Sequence, residues 1–205
     1  MSEVAGLTGL ADAQPPFEIR TVAVIGAGVA GRSFALACAA AGFNVVLEDV
    51  MPANLRKAEV EYTDLTLRVV AGSLELALTI EDAVRSADIA VDFVPDELES
   101  KLEIFSMIDR MAPPKTILCT PSYALSITDL ASCVYRPERC FAVRGDLVRR
   151  EGASEAGVQL LYPVAAAEGA LAAAMGFLRR LGVDVASEAD PDAPMLVKNS
   201  VPLAL

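Results

Sequence analysis

Apolar positions come in short unbroken runs, separated by stretches in which they recur every three or four residues. Val22–Ile25, Val45–Leu47, Ile89–Val91 and Ile117–Cys119 show no polar alternation, as expected of strands buried on both faces. The pattern predicts strands over Arg20–Ile25, Phe43–Asp49, Leu74–Thr79, Ile89–Val94, Thr116–Cys119, Cys140–Val143, Val158–Tyr162 and Val183–Ala186. Between them it predicts helices over Val29–Ala41, from Pro52 to about Val70, a brief one from Glu81, and then Asp96–Met111, Ser126–Ala131 and Ala165–Leu181. Residues 145–157 read as a loop and Asp190–Pro194 as a polar turn. Strand and helix alternate almost throughout. The expected fold class is therefore α/β, a Rossmann-type doubly wound, mostly parallel sheet with helices on both faces.

The first strand runs straight into Gly26-Ala-Gly28-Val-Ala-Gly31, and Asp49 closes the second strand 18 residues after the third glycine. Each part has its own physical reason. Gly26 lets the chain turn off the strand, Gly28 lets a backbone approach a pyrophosphate, and Gly31 lets the new helix pack against the sheet. Free amides and the dipole at that helix's N-terminus favour the phosphates' charge. A carboxylate at Asp49 accepts both adenosine-ribose hydroxyls, which selects NAD over its 2′-phosphorylated relative. The order strand, glycines, helix, strand, acid predicts a dinucleotide site. The bland alternative is a glycine-rich turn in a fold that has lost its ligand.

Composition narrows the chemistry. A net charge of −11 argues against nucleic acid or an anionic membrane surface as partner, and makes recruitment of an anionic substrate depend on local basic residues. No apolar stretch is long enough to span a bilayer. The N-terminus carries acids and no basic leader, so a cytoplasmic protein is expected. The four cysteines show no CxxC and no metal-like clustering, which predicts structural thiols and no metal site. There is no histidine at all, so the commonest general base and metal ligand are both missing.

Later segments resemble the NAD-binding domain of the 3-hydroxyacyl-CoA dehydrogenase family. Ala87-Asp88-Ile89 through Val94-Pro95-Asp96 to Lys101 is similar to that family's Ala-Asp-x-Val-x-Glu-x-Val-Pro-Glu-x-x-x-x-Lys passage. Leu125-Ser126-Ile127-Thr128-Asp129-Leu130-Ala131 and Arg136-Pro137-Glu138-Arg139 resemble its Leu-x-Ile-Thr-x-Leu-Ala and Arg-Pro-Glu-Arg elements. Asp192-Ala193-Pro194 with Asn199 resembles the stretch leading into the family's helical domain. Residues 1–17, small and polar and ending in Pro15-Pro16, read as a loose arm; the resemblance implies an NAD-binding domain over 18–190 and the truncated start of the helical domain over 191–205. It assigns Gly26, Gly28, Gly31 and Asp49 to NAD. Lys101 falls on the lysine that helps hold the nicotinamide half, and Asp96 on a nearby Glu. Taken without the family, Lys101 reads equally as a solvated helix lysine paired with Glu97 or Asp96.

The family's catalytic pair does not carry over. Its histidine base falls on Arg144, always protonated and unable to accept a hydroxyl proton, and its orienting Glu on Gln159, with Glu155 a weaker candidate. The substrate-contacting Ser falls on Tyr123, with Pro121 in the neighbouring Asn position; of the substrate set only Asn199 survives. Much of the family's CoA-contacting helical hairpin is missing between Asp49 and Ala87.

Two functions follow. The first is an NAD(H)-dependent oxidoreductase on a 3-hydroxyacyl or 3-oxoacyl compound, with a rearranged proton donor. Tyr123 would exchange the proton with the alkoxide, Arg144 would clamp a carbonyl or carboxylate, and Asn199 would touch substrate. The second is a catalytically degenerate NAD-binding protein, a pseudoenzyme serving as sensor, scaffold or subunit, in which Tyr123 is a loop aromatic and Arg144 a structural ion pair. A homo-oligomer or a partner chain completing the cleft fits either.

Overall fold

The computed structural model describes residues 18–68, 72–148 and 157–190. The expected N-terminal arm, Glu155, the Asp192-Ala193-Pro194 stretch, Asn199 and the expected start of a helical domain lie outside those residues. Eight strands alternate with helices in chain order: β1 (Thr21–Ile25), α1 (Val29–Ala40), β2 (Asn44–Glu48), α2 (Pro52–Thr66), β3 (Leu74–Ala77), α3 (Ile80–Val84), β4 (Ile89–Asp92), α4 (Leu98–Met111), β5 (Ile117–Pro121), α5 (Ile127–Ala131), β6 (Cys140–Arg144), β7 (Gly157–Tyr162), α6 (Glu168–Arg180) and β8 (Asp184–Ala189). A single 3-10 turn, Pro137–Arg139, precedes β6.

The strands form one sheet in the order β3-β2-β1-β4-β5-β6-β7-β8. From β3 to β6 every pair is parallel, as expected. β7 runs antiparallel to β6, and β8 parallel to β7. Among the described residues no helix lies between β6 and β7. The chain leaves β1 in one direction toward β3 and returns to β4 on the other side, so a crevice opens at the carboxyl ends of β1 and β4.

Both faces of the central strands β1, β4, β5 and β6 are buried, with period two, whereas β8 is largely exposed. Val22 and Val24 of β1, Ile89 and Val91 of β4, and Phe141 and Val143 of β6 point into one cluster with Phe34 of α1 and Phe177 of α6. Ala23, Ile25, Ala90, Leu118 and Ala142 point the other way, against Phe105 and Ile108 of α4 and Leu130 of α5. In the first layer Phe177 meets Phe34 and Phe43 edge-on, at centroid distances of 6.2 and 5.1 Å, and the Arg180 guanidinium lies 4.0 Å above the Phe43 ring.

The edge of the sheet away from the crevice is tied by charge. The Asp88 carboxylate accepts the amides of Arg20 and Thr21, both at 2.9 Å, and meets Lys115 Nζ at 2.5 Å. Arg136 donates from Nε to Asp109 at 2.8 Å and from Nη1 to the Pro113 carbonyl at 2.7 Å, holding the end of α4. Burial works against the charge on Asp88, but Lys115 and the two amides outweigh it and hold the carboxyl below its usual range. Because the folded value lies below the unfolded one near 3.9, this contribution is complete above that pH and is lost as pH falls through the folded value. Asp88→Asn should lose about 1–2 kcal/mol at neutral pH. Its urea midpoint should fall less than that of the native protein between about pH 5 and 3; parallel profiles for the two proteins would contradict the assignment.

Candidate functional site

The three glycines at the end of β1 play three distinguishable parts. Gly26 has φ +97°, a left-handed conformation costly for any side chain, and its amide donates to the Glu48 carbonyl at 2.9 Å. A Cβ on Gly31 would lie 1.9 Å from the Gly26 carbonyl oxygen, so the start of α1 and the end of β1 admit nothing larger than glycine. A Cβ on Gly28 would meet nothing within 4 Å. The protein therefore does not need glycine at 28 for its own packing; the bare backbone faces open space. Gly28 is also the N-cap of α1, with no side-chain cap and no acid in the first turn. The orphan amides and positive dipole end of a 12-residue helix are thus left for an external anion.

Asp49 follows β2 beside this turn. Its Oδ2 accepts from the Ala27 amide at 2.8 Å and from Asn54 Nδ2 at 3.1 Å, and its Oδ1 accepts from the Met51 amide at 2.7 Å. Three donors fix the carboxylate while leaving lone pairs for further donors such as ribose hydroxyls. Burial, then the neighbouring Asp49, pushes the Glu48 carboxyl up. Val29, Val50 and Met51 stand 76%, 77% and 57% exposed around this corner, an apolar surface suited to a base ring. Turn, helix end, carboxylate and apolar rim all fit the adenosine and phosphate half of a dinucleotide.

The carboxyl ends of β4, β5 and β6 continue the crevice. Lys101 is neither solvated nor paired with Glu97 or Asp96; it is 1% exposed, and its ammonium has three acceptors. These are Asp92 Oδ1 at 3.0 Å, Thr120 Oγ1 at 2.8 Å and the Val94 carbonyl at 3.3 Å. The lysine thereby pins the end of β4 to the end of β5. Asp92 is fully buried; burial pushes its carboxyl up, against the Lys101 charge and the Thr120 hydroxyl, and its Oδ2 has no partner.

Asp96 accepts the Tyr123 amide at 3.1 Å, which joins the loops after β4 and β5. The preceding residue, Ser122, donates its amide to the Val143 carbonyl at 3.1 Å. Tyr123 and Arg144 therefore each lie one residue beyond a shared backbone hydrogen bond, at the mouth of the crevice. Tyr123 is 68% exposed.

Arg144 and Gln159 are register partners across β6 and β7, so the two positions assigned from the sequence to a base and its orienting acid are brought together. Gln159 turns its amide to Glu188 on β8. Arg144 forms no ion pair or hydrogen bond among the described residues, and its Nε is buried without an acceptor. The expectation of a structural ion pair there is not met. Sequence reasoning missed the Asn54 and Ala27 donors to Asp49 and the Asp92–Lys101–Thr120 cluster. Asp92 had left one signal, because it falls on the Glu of the family passage. No group of three or more metal-ligating side chains occurs among the described residues, and no helix there is long and apolar enough to cross a membrane.

Comparison with known proteins places this geometry. Residues 21–144 match the profile of the 3-hydroxyacyl-CoA dehydrogenase, NAD binding domain. A probable 3-hydroxybutyryl-CoA dehydrogenase of Bacillus subtilis is 32% identical over 135 residues, covering 60% of this chain and 47% of that protein. A 3-hydroxybutyryl-CoA dehydrogenase of Bradyrhizobium diazoefficiens is 27% identical over 199 residues, covering 91% and 66%. Among solved structures, a 3-hydroxyacyl-CoA dehydrogenase from Archaeoglobus fulgidus superposes with a TM-score of 0.69 at 26% identity, over 89% of this chain and 60% of that one. A diketoreductase gives 0.73 at 22% identity, over 86% and 66%, and shares the fold. The chain spans about half the length of the Bacillus relative.

The glycines supply a clean test. Gly28→Val should cost at most about 1 kcal/mol of stability, as a poorer N-cap, and weaken NADH binding at least about tenfold, since the side chain fills only ligand space. Gly31→Ala should do the reverse first, costing about 1–3 kcal/mol of stability through overpacking. Thermal melts and NADH fluorescence titrations of both variants check the pair; unchanged binding in Gly28→Val would refute the cradle.

Proposed function

Because the chain belongs to the 3-hydroxyacyl-CoA dehydrogenase family through its NAD-binding domain, we propose that it is an NAD(H)-dependent oxidoreductase whose proton donor is Tyr123 rather than a histidine. The substrate class is a 3-hydroxyacyl or 3-oxoacyl-type compound. One observation carries the reading: the dinucleotide cradle, the exposed Tyr123 and the unpaired Arg144 share one edge of the sheet, the last two joined through Ser122 and Val143. A site that kept only its cofactor would have no reason to hold an uncompensated guanidinium at its mouth.

Asp49 would hold the adenosine ribose, and the amides at Gly28 and the start of α1 the pyrophosphate. Asp96 and the strand ends pinned by Lys101 would flank the nicotinamide half. NADH, when bound there, supplies the hydride. Tyr123 gives its phenolic proton to the carbonyl oxygen as the alcohol forms and recovers one from solvent, to which its ring is open. Arg144 draws the polar end of the substrate toward the β6 end and stabilises negative charge on it. Asn199 is proposed as a further substrate contact on the family resemblance.

The relatives of this chain support a broad substrate range for this scaffold. They include a 3-hydroxyadipyl-CoA dehydrogenase of Escherichia coli and a pyridine-carboxylate 5-dehydrogenase of Mesorhizobium japonicum. A second reading, an NAD-binding protein without turnover, has its own observation: Arg144 and Gln159 stand in register where the family's base and acid fall, and neither moves a proton. The two readings separate at Tyr123. With NADH and a panel of 3-oxo acids and 3-oxoacyl thioesters, Tyr123→Phe should lower kcat about 10²–10³-fold and leave NADH affinity intact. Equal turnover in the native and Tyr123→Phe proteins would remove Tyr123 from the mechanism. Absence of turnover across the panel, with NADH bound, would favour the second reading.

A further inference from the structure

The geometry points to Arg144 as the receptor for a substrate's own carboxylate, so that the compound handled is a free 3-oxo or 3-hydroxy acid rather than a thioester. This rests on the cofactor site proposed above and specifies its substrate. A guanidinium keeps its charge at any physiological pH, so it cannot relieve burial by losing a proton. Nevertheless Arg144 Nε is buried with no acceptor, and no acid among the described residues pairs with the side chain. Its cross-strand neighbour Gln159 is neutral, and the acid within reach of that neighbour, Glu188, is engaged by the Gln159 amide instead. Every other guanidinium that enters the described interior has an answer inside the protein. Arg32 pairs with Glu61 and the Ala27 carbonyl, and Arg136 with Asp109 and the Pro113 carbonyl.

Arg144 is half-buried: its charge has no answering acid among the described residues, while its outer end is open to a ligand. The two Nη groups at the end of a guanidinium match the two oxygens of a carboxylate, and in Arg144 that end, unlike Nε, keeps accessible surface. A thioester carbonyl offers one neutral oxygen and leaves the second donor and the charge unanswered. Position agrees with chemistry. Arg144 ends β6 one residue beyond Val143, whose carbonyl receives the Ser122 amide, and Tyr123 follows Ser122. A short acid with its carboxylate on Arg144 can thus present its carbonyl or hydroxyl carbon toward Tyr123. The net charge of −11 gives no general attraction for anions, which leaves a local cation as the means of recruitment.

The test uses the full chain loaded with NADH, which cannot react with an alcohol. Calorimetric titration with 3-hydroxybutanoate should show binding at least tenfold tighter than with its methyl ester. Arg144→Gln should abolish that preference, and Arg144→Lys, which keeps the charge but not the fork, should restore part of it. In turnover, 3-oxobutanoate should be preferred to 3-oxobutanoyl-CoA, with KM for the free acid rising at least tenfold in Arg144→Gln. Equal affinity for acid and ester in the native protein overturns the inference without recourse to any variant. So does a thioester turned over equally well by native and Arg144→Gln proteins, an outcome that leaves the oxidoreductase reading standing. Arginine-dependent binding of the acid with no turnover of any 3-oxo compound upholds the inference and removes the oxidoreductase reading instead.

Discussion

The site depends on how closely α1 is pressed against the end of β1. At Gly31 there is room for a hydrogen and not for a methyl, because the Gly26 carbonyl lies 1.9 Å from where a Cβ would stand. That contact fixes where the helix begins and aims its uncapped N-terminus across the crevice. It also brings the Ala27 amide to Asp49, so the acid after β2 is positioned by the same turn that forms the anion cradle. Loosening it would move the phosphate end and the ribose end of the site together.

Charge is divided between the two edges of the sheet according to what each must do. At the far edge Asp88, Lys115, Asp109 and Arg136 satisfy one another and the ends of β1 and α4. These include residues of the Ala-Asp and Arg-Pro-Glu-Arg elements, whose work in this fold is to hold strands and helix ends in place. At the crevice edge satisfaction is partial: the α1 terminus is uncapped, Asp49 keeps spare acceptor capacity, Asp92 Oδ2 lacks a donor and Arg144 lacks an acceptor. Buried polar groups left open in a well-packed fold are costly, and of the three such side-chain atoms among the described residues Asp92 Oδ2 and Arg144 Nε lie along this edge, while Thr128 Oγ1 lies on α5.

Much of this was legible in the residues. Unbroken apolar runs predicted a sheet buried on both faces, and each strand of it is present within a few residues of its predicted ends. The glycine turn and Asp49 were readable because local backbone geometry imposes their spacing. The reversal at β7 was not, since strand direction depends on how the connecting segment returns. Lys101 showed why a charge is hard to place from sequence: the nearby acids Asp96 and Glu97 suggested a solvated pair, whereas its partners Asp92 and Thr120 come from two strands. Arg144 could be aligned to a catalytic position, but that no acid reaches it is a property of three strands at once.

The account stands on the nucleotide site, and its most direct test is calorimetric titration of the native protein with NADH and with NADPH. The expected result is one saturable site for NADH, with NADPH bound far more weakly because Asp49 repels a 2′-phosphate. Absence of saturable heat at millimolar NADH, or a preference for NADPH, would contradict it.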